Sequence, residues 1–201
     1  MSQTKERSPE IGGSRWRLAG WSILGMFLLV PLVAMQFTDE VVWTASDFAI
    51  MGVLLVLVGF GFEGAARVSP EPLYRAAGGL AVLSTFLLIW VDLAVGVIGI
   101  DDNPVNAWYL AVPGTGLLGA ILVRGRARGM AVVMTAMAGV QTTIAVIAMA
   151  MGLGQPHAGP LEIAMVNGFF VVLFLASAML FALAAGRRPD SLGVAREGEP
   201  R

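Results

Sequence analysis

The chain contains no cysteine and only one histidine. Without cysteine it can form no disulfide, no thiolate metal site and no iron–sulfur cluster. The single histidine, His157, lies in a turn rich in Pro and Gly, and one histidine can build neither a two-histidine haem site nor a multi-histidine zinc centre. The sequence therefore predicts no metal site and no cofactor.

Sequence motifs of common enzymes are also absent. The chain has no Gly-x-Ser-x-Gly, no His-Glu-x-x-His and no Gly-rich loop ending in Lys-Ser or Lys-Thr. Its basic residues flank apolar segments, which is typical of membrane proteins and does not favour a nucleic-acid partner. We therefore predict a protein that is not an enzyme and does not bind nucleic acid.

Apolar residues dominate what is present. Hydrophobic residues make up 57% of the chain and charged residues only 13%, and the mean hydropathy is +0.77. A soluble domain of this size could not bury so much apolar surface, so most of the chain is expected to face lipid. The predicted fold class is all-α, a polytopic membrane protein built as a compact bundle of six transmembrane helices. The predicted spans are residues 18–37, 48–68, 76–100, 107–123, 129–152 and 161–186.

Two other interpretations of these apolar runs are weaker. A cleaved secretory signal at the N-terminus is disfavoured because the first run is as long as a full span. A re-entrant pair formed by the fourth and fifth runs is disfavoured because both are long enough to cross a bilayer at about 1.5 Å per residue.

The distribution of basic residues predicts which loops lie on the cytoplasmic side of the membrane. All 13 Lys and Arg residues fall in four segments: 1–17, 67–75, 124–128 and 187–201. None of the alternate connections contains Lys or Arg: residues 38–47 and 101–106 contain acidic residues, and residues 154–160 are neutral. Because basic loops stay in the cytoplasm, the tail 1–17 and a disordered tail 187–201 are both predicted to be cytoplasmic. A helical bundle further favours the bacterial inner membrane, since outer-membrane proteins span as barrels.

Small residues predict which helix faces pack together, because close contact of small side chains holds helices together in lipid. The fifth run carries two adjacent small-residue stripes, and both are expected to face neighbouring helices. One stripe consists of Ala131, Thr135, Gly139 and Thr142, and the other of Ala138, Gln141 and Ala145.

Asp92 is the only acidic residue well inside a predicted span. A charge there costs at least about 2.5 kcal/mol on insertion scales, so an intramembrane acid is a functional candidate. With its span ending at residue 100, Asp92 is expected to lie roughly 12 Å below the outer end. We predict an intramembrane polar pocket formed by Asp92, Gln141, Thr142 and Asn167. The alternative is that Asp92 is protonated or hydrogen-bonded and only joins helices.

Glu63 precedes Arg67 by four residues, a spacing that predicts an ion pair on one helix face near the membrane interface. Trp108 and Tyr109 are predicted to anchor the chain at the outer interface.

Two segments resemble a known family. Residues 31–41 (PLVAMQFTDEV), followed by Trp43 and Asp47-Phe48, and residues 96–106 (GVIGIDDNPVN) resemble marked segments of a family of small bacterial multi-pass membrane proteins of unknown function. The resemblance covers the membrane domain and implies no activity. It points to the outer face as a possible binding surface, with candidate residues Asp39, Glu40, Trp43, Asp101, Asp102, Asn103 and Asn106.

The function predicted from these patterns is that of a non-enzymatic inner-membrane protein, an accessory or assembly component of a membrane complex. Its expected partners are the lipid bilayer and either another membrane protein or further copies of itself. The alternative is a small transporter or channel that moves a cation, proton or small solute past Asp92.

Overall fold

The computed structural model describes residues 11–187 of the chain. All of the regular secondary structure within these residues is helical. The helices are α1 (Ile11–Ala34), α2 (Ala45–Val68), α3 (Pro72–Val95), a 3₁₀ helix (Pro104–Leu110), α4 (Ala111–Val123), α5 (Ala127–Met151) and α6 (Pro160–Gly186). Most of the predicted tails 1–17 and 187–201 lie outside the described residues.

Six of these helical segments are long and apolar enough to span a membrane, with the 3₁₀ helix and α4 together forming one such segment. The all-helical fold and the number of candidate spans are therefore confirmed for the described residues. Which side of a membrane each end faces remains a prediction.

Two helix boundaries differ from the predicted spans by five residues or more. Helix α1 already begins at Ile11, because a helix can continue into the polar residues that precede an apolar run. Helix α3 ends at Val95 rather than at residue 100, since Gly96 (φ +74°) and Gly99 (φ +81°) adopt left-handed conformations that a helix cannot include. Residues 96–103 form a loop instead.

The chain divides into two compact units, one reaching to Phe60 and the other beginning at Gly61. In the first unit, the Trp21 ring lies edge-on to Phe60, with ring centroids 5.6 Å apart. A Cβ on Gly59 would lie 2.6 Å from the same indole. The absence of a side chain at Gly59 thus lets α1 approach the first part of α2 at this point.

In the second unit, α6 packs against both α3 and α5, and α5 also packs against α4. The Ser177 hydroxyl donates to the carbonyl oxygen of Ala77 at 2.9 Å, and Tyr74 lies edge-on to Phe181 at 5.0 Å. These contacts join the start of α3 to the end of α6, so the two helices are antiparallel. The buried faces of these helices enclose an apolar core that includes Leu88, Met137 and three Phe residues of α6.

Hydrogen bonds join the loops at each end of the second unit. At one end, the Tyr74 hydroxyl donates to the Gly125 carbonyl at 2.6 Å, so the Arg124 to Arg128 turn lies beside the start of α3. At the other end, Asn103 Nδ2 donates to the Leu153 carbonyl at 2.9 Å, which joins the acidic loop to the α5–α6 turn. The arginine-rich turn and the acidic loop therefore lie at opposite ends of this unit.

One of the two predicted stripes on α5 is confirmed as a packing face. Ala138, Gln141 and Ala145 are buried. The other stripe is not: Thr135, Gly139 and Thr142 are exposed and Ala131 is half-buried. Helix α5 packs mainly against α4 and α6. Its opposite side stays exposed, and small residues occur on that side as well.

The glycines of α4 permit a test of close helix packing. A Cβ on Gly119 would lie 2.7 Å from both methyl groups of Val133, whereas a Cβ on Gly114 would meet nothing within 4 Å. Because Val is short and stiff at χ1, it cannot move aside. We expect Gly119→Ala to reduce the free energy of unfolding by about 1–3 kcal/mol, measured by SDS titration of the purified protein in detergent.

Gly114→Ala is the matched control on the same helix. It should leave stability unchanged or raise it by roughly 0.5–1 kcal/mol, since Ala favours a helix over Gly. Equal effects of the two substitutions would show that α4 does not approach α5 closely at Gly119.

Candidate functional site

Asn167 joins three helical elements through its side-chain amide. Its Oδ1 accepts from the Tyr109 hydroxyl at 2.8 Å and from Gln141 Nε2 at 2.9 Å. Its own Nδ2 donates to the Ile163 carbonyl at 2.8 Å. Asn167, Tyr109 and Gln141 are each at most 2% exposed. The oxygen of one amide therefore connects α5, α6 and the 3₁₀ helix inside the protein.

Helical periodicity puts Asn167 and Gln141 on the buried faces of their helices. On α6, Asn167 shares the buried face with Ile163, Phe170 and Phe174. On α5, Gln141 lies between the buried residues Ala138 and Ala145, one turn away on either side. The small alanines allow α6 to approach closely enough for the two amides to meet.

Tyr109 was predicted only as an interfacial anchor together with Trp108, and for Tyr109 that prediction is wrong. Trp108 is 43% exposed, but Tyr109 is 2% exposed and belongs to the buried network. A 3₁₀ helix repeats every three residues, so Asn106 and Tyr109 both point inward, and the buried Val112 at the start of α4 continues the row. The same three-residue spacing in the sequence is the signal that could have identified Tyr109.

Thr142 does not belong to the predicted pocket. Its side chain is exposed and its hydroxyl donates to the Ala138 carbonyl of its own helix at 2.8 Å. A threonine in an apolar helix can satisfy its hydroxyl in this way, so its polarity does not reveal which way it faces.

Asp92 lies beside the network rather than at its centre. Because α3 ends at Val95, Asp92 is only about 4.5 Å below the helix end at 1.5 Å per residue, not 12 Å. Its carboxyl group faces the backbone amide of Val97 and is close enough to Tyr109 for electrostatic interaction. Among the described residues, no hydrogen bond joins Asp92 to Asn167. Asp92 is thus located at the rim of the second unit, next to the loop that follows α3.

Two buried oxygens of this region have no hydrogen-bond partner among the described residues: Oδ1 of Asp92 and Oε1 of Gln141. A buried acceptor left without a donor costs roughly 1–3 kcal/mol. Both atoms can only accept, unless Asp92 carries a proton. Each of these oxygens therefore suits a small hydrogen-bond donor or a cation.

The loop after α3 uses its amide side chains for its own structure. Asn106 Oδ1 accepts from the Ile98 backbone amide at 2.9 Å and its Nδ2 donates to the Ile100 carbonyl at 2.7 Å. Asn103 Nδ2 donates to the Ile98 carbonyl at 3.0 Å as well as to Leu153. Asn106 is 5% exposed. These two predicted surface-binding residues are therefore structural, and within this loop only Asp101 and Asp102 are exposed acids.

The remaining predicted outer-face residues lie in the first unit. Asp39 and Glu40 are exposed. Trp43 is half-buried and packs edge-on against Phe48, with centroids 5.1 Å apart. Asp47 accepts from both the backbone amide and the hydroxyl of Thr44, at 2.7 and 2.8 Å, and so fixes the start of α2.

Glu63 and Arg67 form the ion pair that their spacing predicts, with Arg67 Nη2 donating to Glu63 Oε2 at 2.5 Å. In residues 11–187, no group of three or more His, Asp or Glu side chains is arranged to hold a metal ion.

No protein-family model, curated protein or solved structure matches the chain. The resemblance of residues 31–41 and 96–106 to a bacterial membrane-protein family stays a prediction. The structure itself defines the class of the chain: an all-helical protein with six helical segments suited to multiple membrane crossings in its described part.

Replacing the hub residue tests the network. Asn167→Leu keeps a similar volume but leaves the Tyr109 hydroxyl and the Gln141 amide without an acceptor. We expect the free energy of unfolding to fall by about 1–3 kcal/mol. Tryptophan fluorescence during an SDS titration measures this change. Tyr109→Phe removes only one hydrogen bond and should cost less, about 0.5–1.5 kcal/mol.

Thr142→Val is the control, since that hydroxyl bonds only its own helix. It should change stability by less than about 0.5 kcal/mol. If Thr142→Val destabilised the protein as much as Asn167→Leu, the network would not hold the helices together as described.

Proposed function

We propose that this chain is a non-enzymatic multi-pass protein of the bacterial inner membrane, with both termini in the cytoplasm, and that it serves as an accessory or assembly component of a membrane complex. The observation that carries the proposal is the exposed small-residue face of α5. The buried network around Asn167 supports it indirectly, because internal hydrogen bonds hold α5 in place while its outer face is free to bind a partner.

The exposed face of α5 has the spacing of a helix-packing surface. Ala131, Thr135, Gly139 and Thr143 follow one another every four residues, so they lie in a row along the helix. Thr135, Gly139 and Thr143 are exposed. A Cβ on Gly139 would meet nothing within 4 Å, so the position is open.

The hydroxyls on this face need no outside partner. Thr135 Oγ1 donates to the Ala131 carbonyl and Thr143 Oγ1 to the Gly139 carbonyl, each at 2.9 Å. The side chains of this row are therefore small, and its two exposed hydroxyls are already hydrogen-bonded. In lipid, where no hydrophobic force drives helices together, rows of small residues are the surfaces along which helix backbones approach. The occupant that fits is a membrane-spanning helix of a partner protein.

A bulky residue at Gly139 should block this contact. We expect Gly139→Leu to reduce recovery of the partner at least tenfold after crosslinking in intact cells, purification in mild detergent and mass spectrometry, because the side chain would hold the two backbones apart. The fold of the chain should be unchanged, since nothing lies within 4 Å of the new Cβ.

Gly168→Leu is the matched control: Gly168 is also an exposed helical glycine with nothing within 4 Å, but it lies on α6. It should leave the partner bound. Loss of a partner in both variants or in neither would contradict the proposal, and recovery of only a second copy of this chain would assign the face to self-association instead.

A second candidate function is transport of a proton, a cation or a small solute past Asp92. The unpartnered oxygens Asp92 Oδ1 and Gln141 Oε1 favour it, since both are buried acceptors that a passing donor or cation would satisfy. Purified protein in liposomes should then dissipate a pH or ion gradient across the liposome membrane. Asp92→Asn should abolish this flux. Absence of flux with the unsubstituted protein would reject this candidate and leave the first one intact.

A further inference from the structure

The turn between α4 and α5 borders an open cavity, and half of the residues that line this cavity are arginines. The cavity has a volume of about 440 Å³ and is lined by Leu122, Val123, Arg124, Arg126, Arg128 and Gly129. Three arginine residues therefore border one depression at the arginine-rich end of the second unit.

The backbone of this turn is fixed rather than loose. Arg124 (φ +52°) and Gly125 (φ +66°) take consecutive left-handed conformations, and the Gly125 carbonyl accepts from the buried Tyr74 at 2.6 Å. A Cβ on Gly129 would lie 2.5 Å from Val123 Cβ, so α5 begins in tight contact with α4. The points from which the three arginines extend are thus held by α3 and α4.

These arginines have no counter-ion within the described residues. No ion pair or side-chain hydrogen bond joins Arg124, Arg126 or Arg128 to another described residue. Two other basic residues near this end differ: Arg67 pairs with Glu63, and Arg75 donates to the carbonyls of Ser69 and Ala66. Three uncompensated positive charges around one cavity favour an anion.

The start of α5 adds further donors on the same side. Arg126 is the N-cap, its side chain caps no amide, and the first backbone hydrogen bond after it runs from Met130 N to Arg126 O. The amides of Arg128 and Gly129, both at the cavity, belong to the first turn, where a helix offers its unpaired N–H groups to an anion. Guanidinium and amide N–H groups are the donors that phosphate oxygens prefer.

The surface next to the cavity is apolar and uncovered. Leu122 lines the cavity and is 82% exposed, and Leu118 and Ile121 on the preceding turn are 64% and 63% exposed. A free phosphate would make no contact with this apolar surface, whereas the acyl chains of a lipid would cover it.

We infer that the α4–α5 turn binds the phosphate group of an anionic phospholipid, with Arg124, Arg126 and Arg128 around the headgroup and the acyl chains along the outer side of α4. This site is independent of the partner-binding face of α5. It would hold the lipid at the arginine-rich end of the second unit, the end that the charge pattern assigns to the cytoplasm.

The test is titration of the full-length protein in detergent with phosphatidylglycerol or phosphatidylcholine, with bound lipid counted by native mass spectrometry. Phosphatidylglycerol should bind with at least about tenfold higher affinity. The double variant Arg124→Gln, Arg128→Gln should lose roughly tenfold or more of that affinity, since each arginine near a headgroup contributes several-fold.

The double variant Arg67→Gln, Arg187→Gln is the control, because it removes two exposed positive charges elsewhere in the same unit. It should keep most of the affinity; an equal loss in both double variants would show non-specific attraction and overturn the site. Equal binding of the two lipids would also overturn it. Binding of inorganic phosphate alone, with the same dependence on Arg124 and Arg128, would assign the turn to a free anion and refute the lipid.

Discussion

Lipid offers a polypeptide no hydrogen-bond partner, so a polar side chain on a membrane-spanning helix is stabilised by a partner within the chain. The Asn167 network is the clearest consequence. One amide oxygen receives two donors from two other helical elements, and the same side chain donates to its own helix. Because those donors would otherwise be buried and unpaired, the positions of α5, α6 and the 3₁₀ helix are fixed relative to one another at this level.

The same constraint explains how the ends of the second unit are built. Tyr74 closes the arginine-rich end by donating to a turn carbonyl, and Asn103 closes the acidic end by joining two loops. Between the ends, contact depends on small residues. Val133 packs against Gly119, and Val123 packs against Gly129. Both contacts are too close to leave room for a Cβ on the glycine. Polar groups thus determine the loop positions, and glycines determine how close the helices can come.

The sequence was sufficient to predict the helical class, the number of apolar helices and the two amides that meet in the network. Each of these follows from a repeated pattern or from a polar residue that has no other way to be satisfied. The end of α3 was missed because two glycines with positive φ terminate it inside a continuous apolar run. Thr142 was misplaced because a threonine can bond its own helix, and Tyr109 because the pattern of a 3₁₀ helix was read as that of an interfacial segment. Both faces of α5 carry small residues, so composition alone could not tell its packed side from its exposed one.

The central claim is the proposed topology, in which the arginine-rich end of the second unit faces the cytoplasm and its acidic end faces the other side of the membrane. Since the natural chain has no cysteine, a single introduced thiol can be labelled without background. Arg126→Cys and Asp102→Cys replace exposed residues of the two opposite loops. In intact cells, a membrane-impermeant maleimide should label Asp102→Cys but should label Arg126→Cys only after the membrane is permeabilised. Labelling of Arg126→Cys in intact cells would contradict the account.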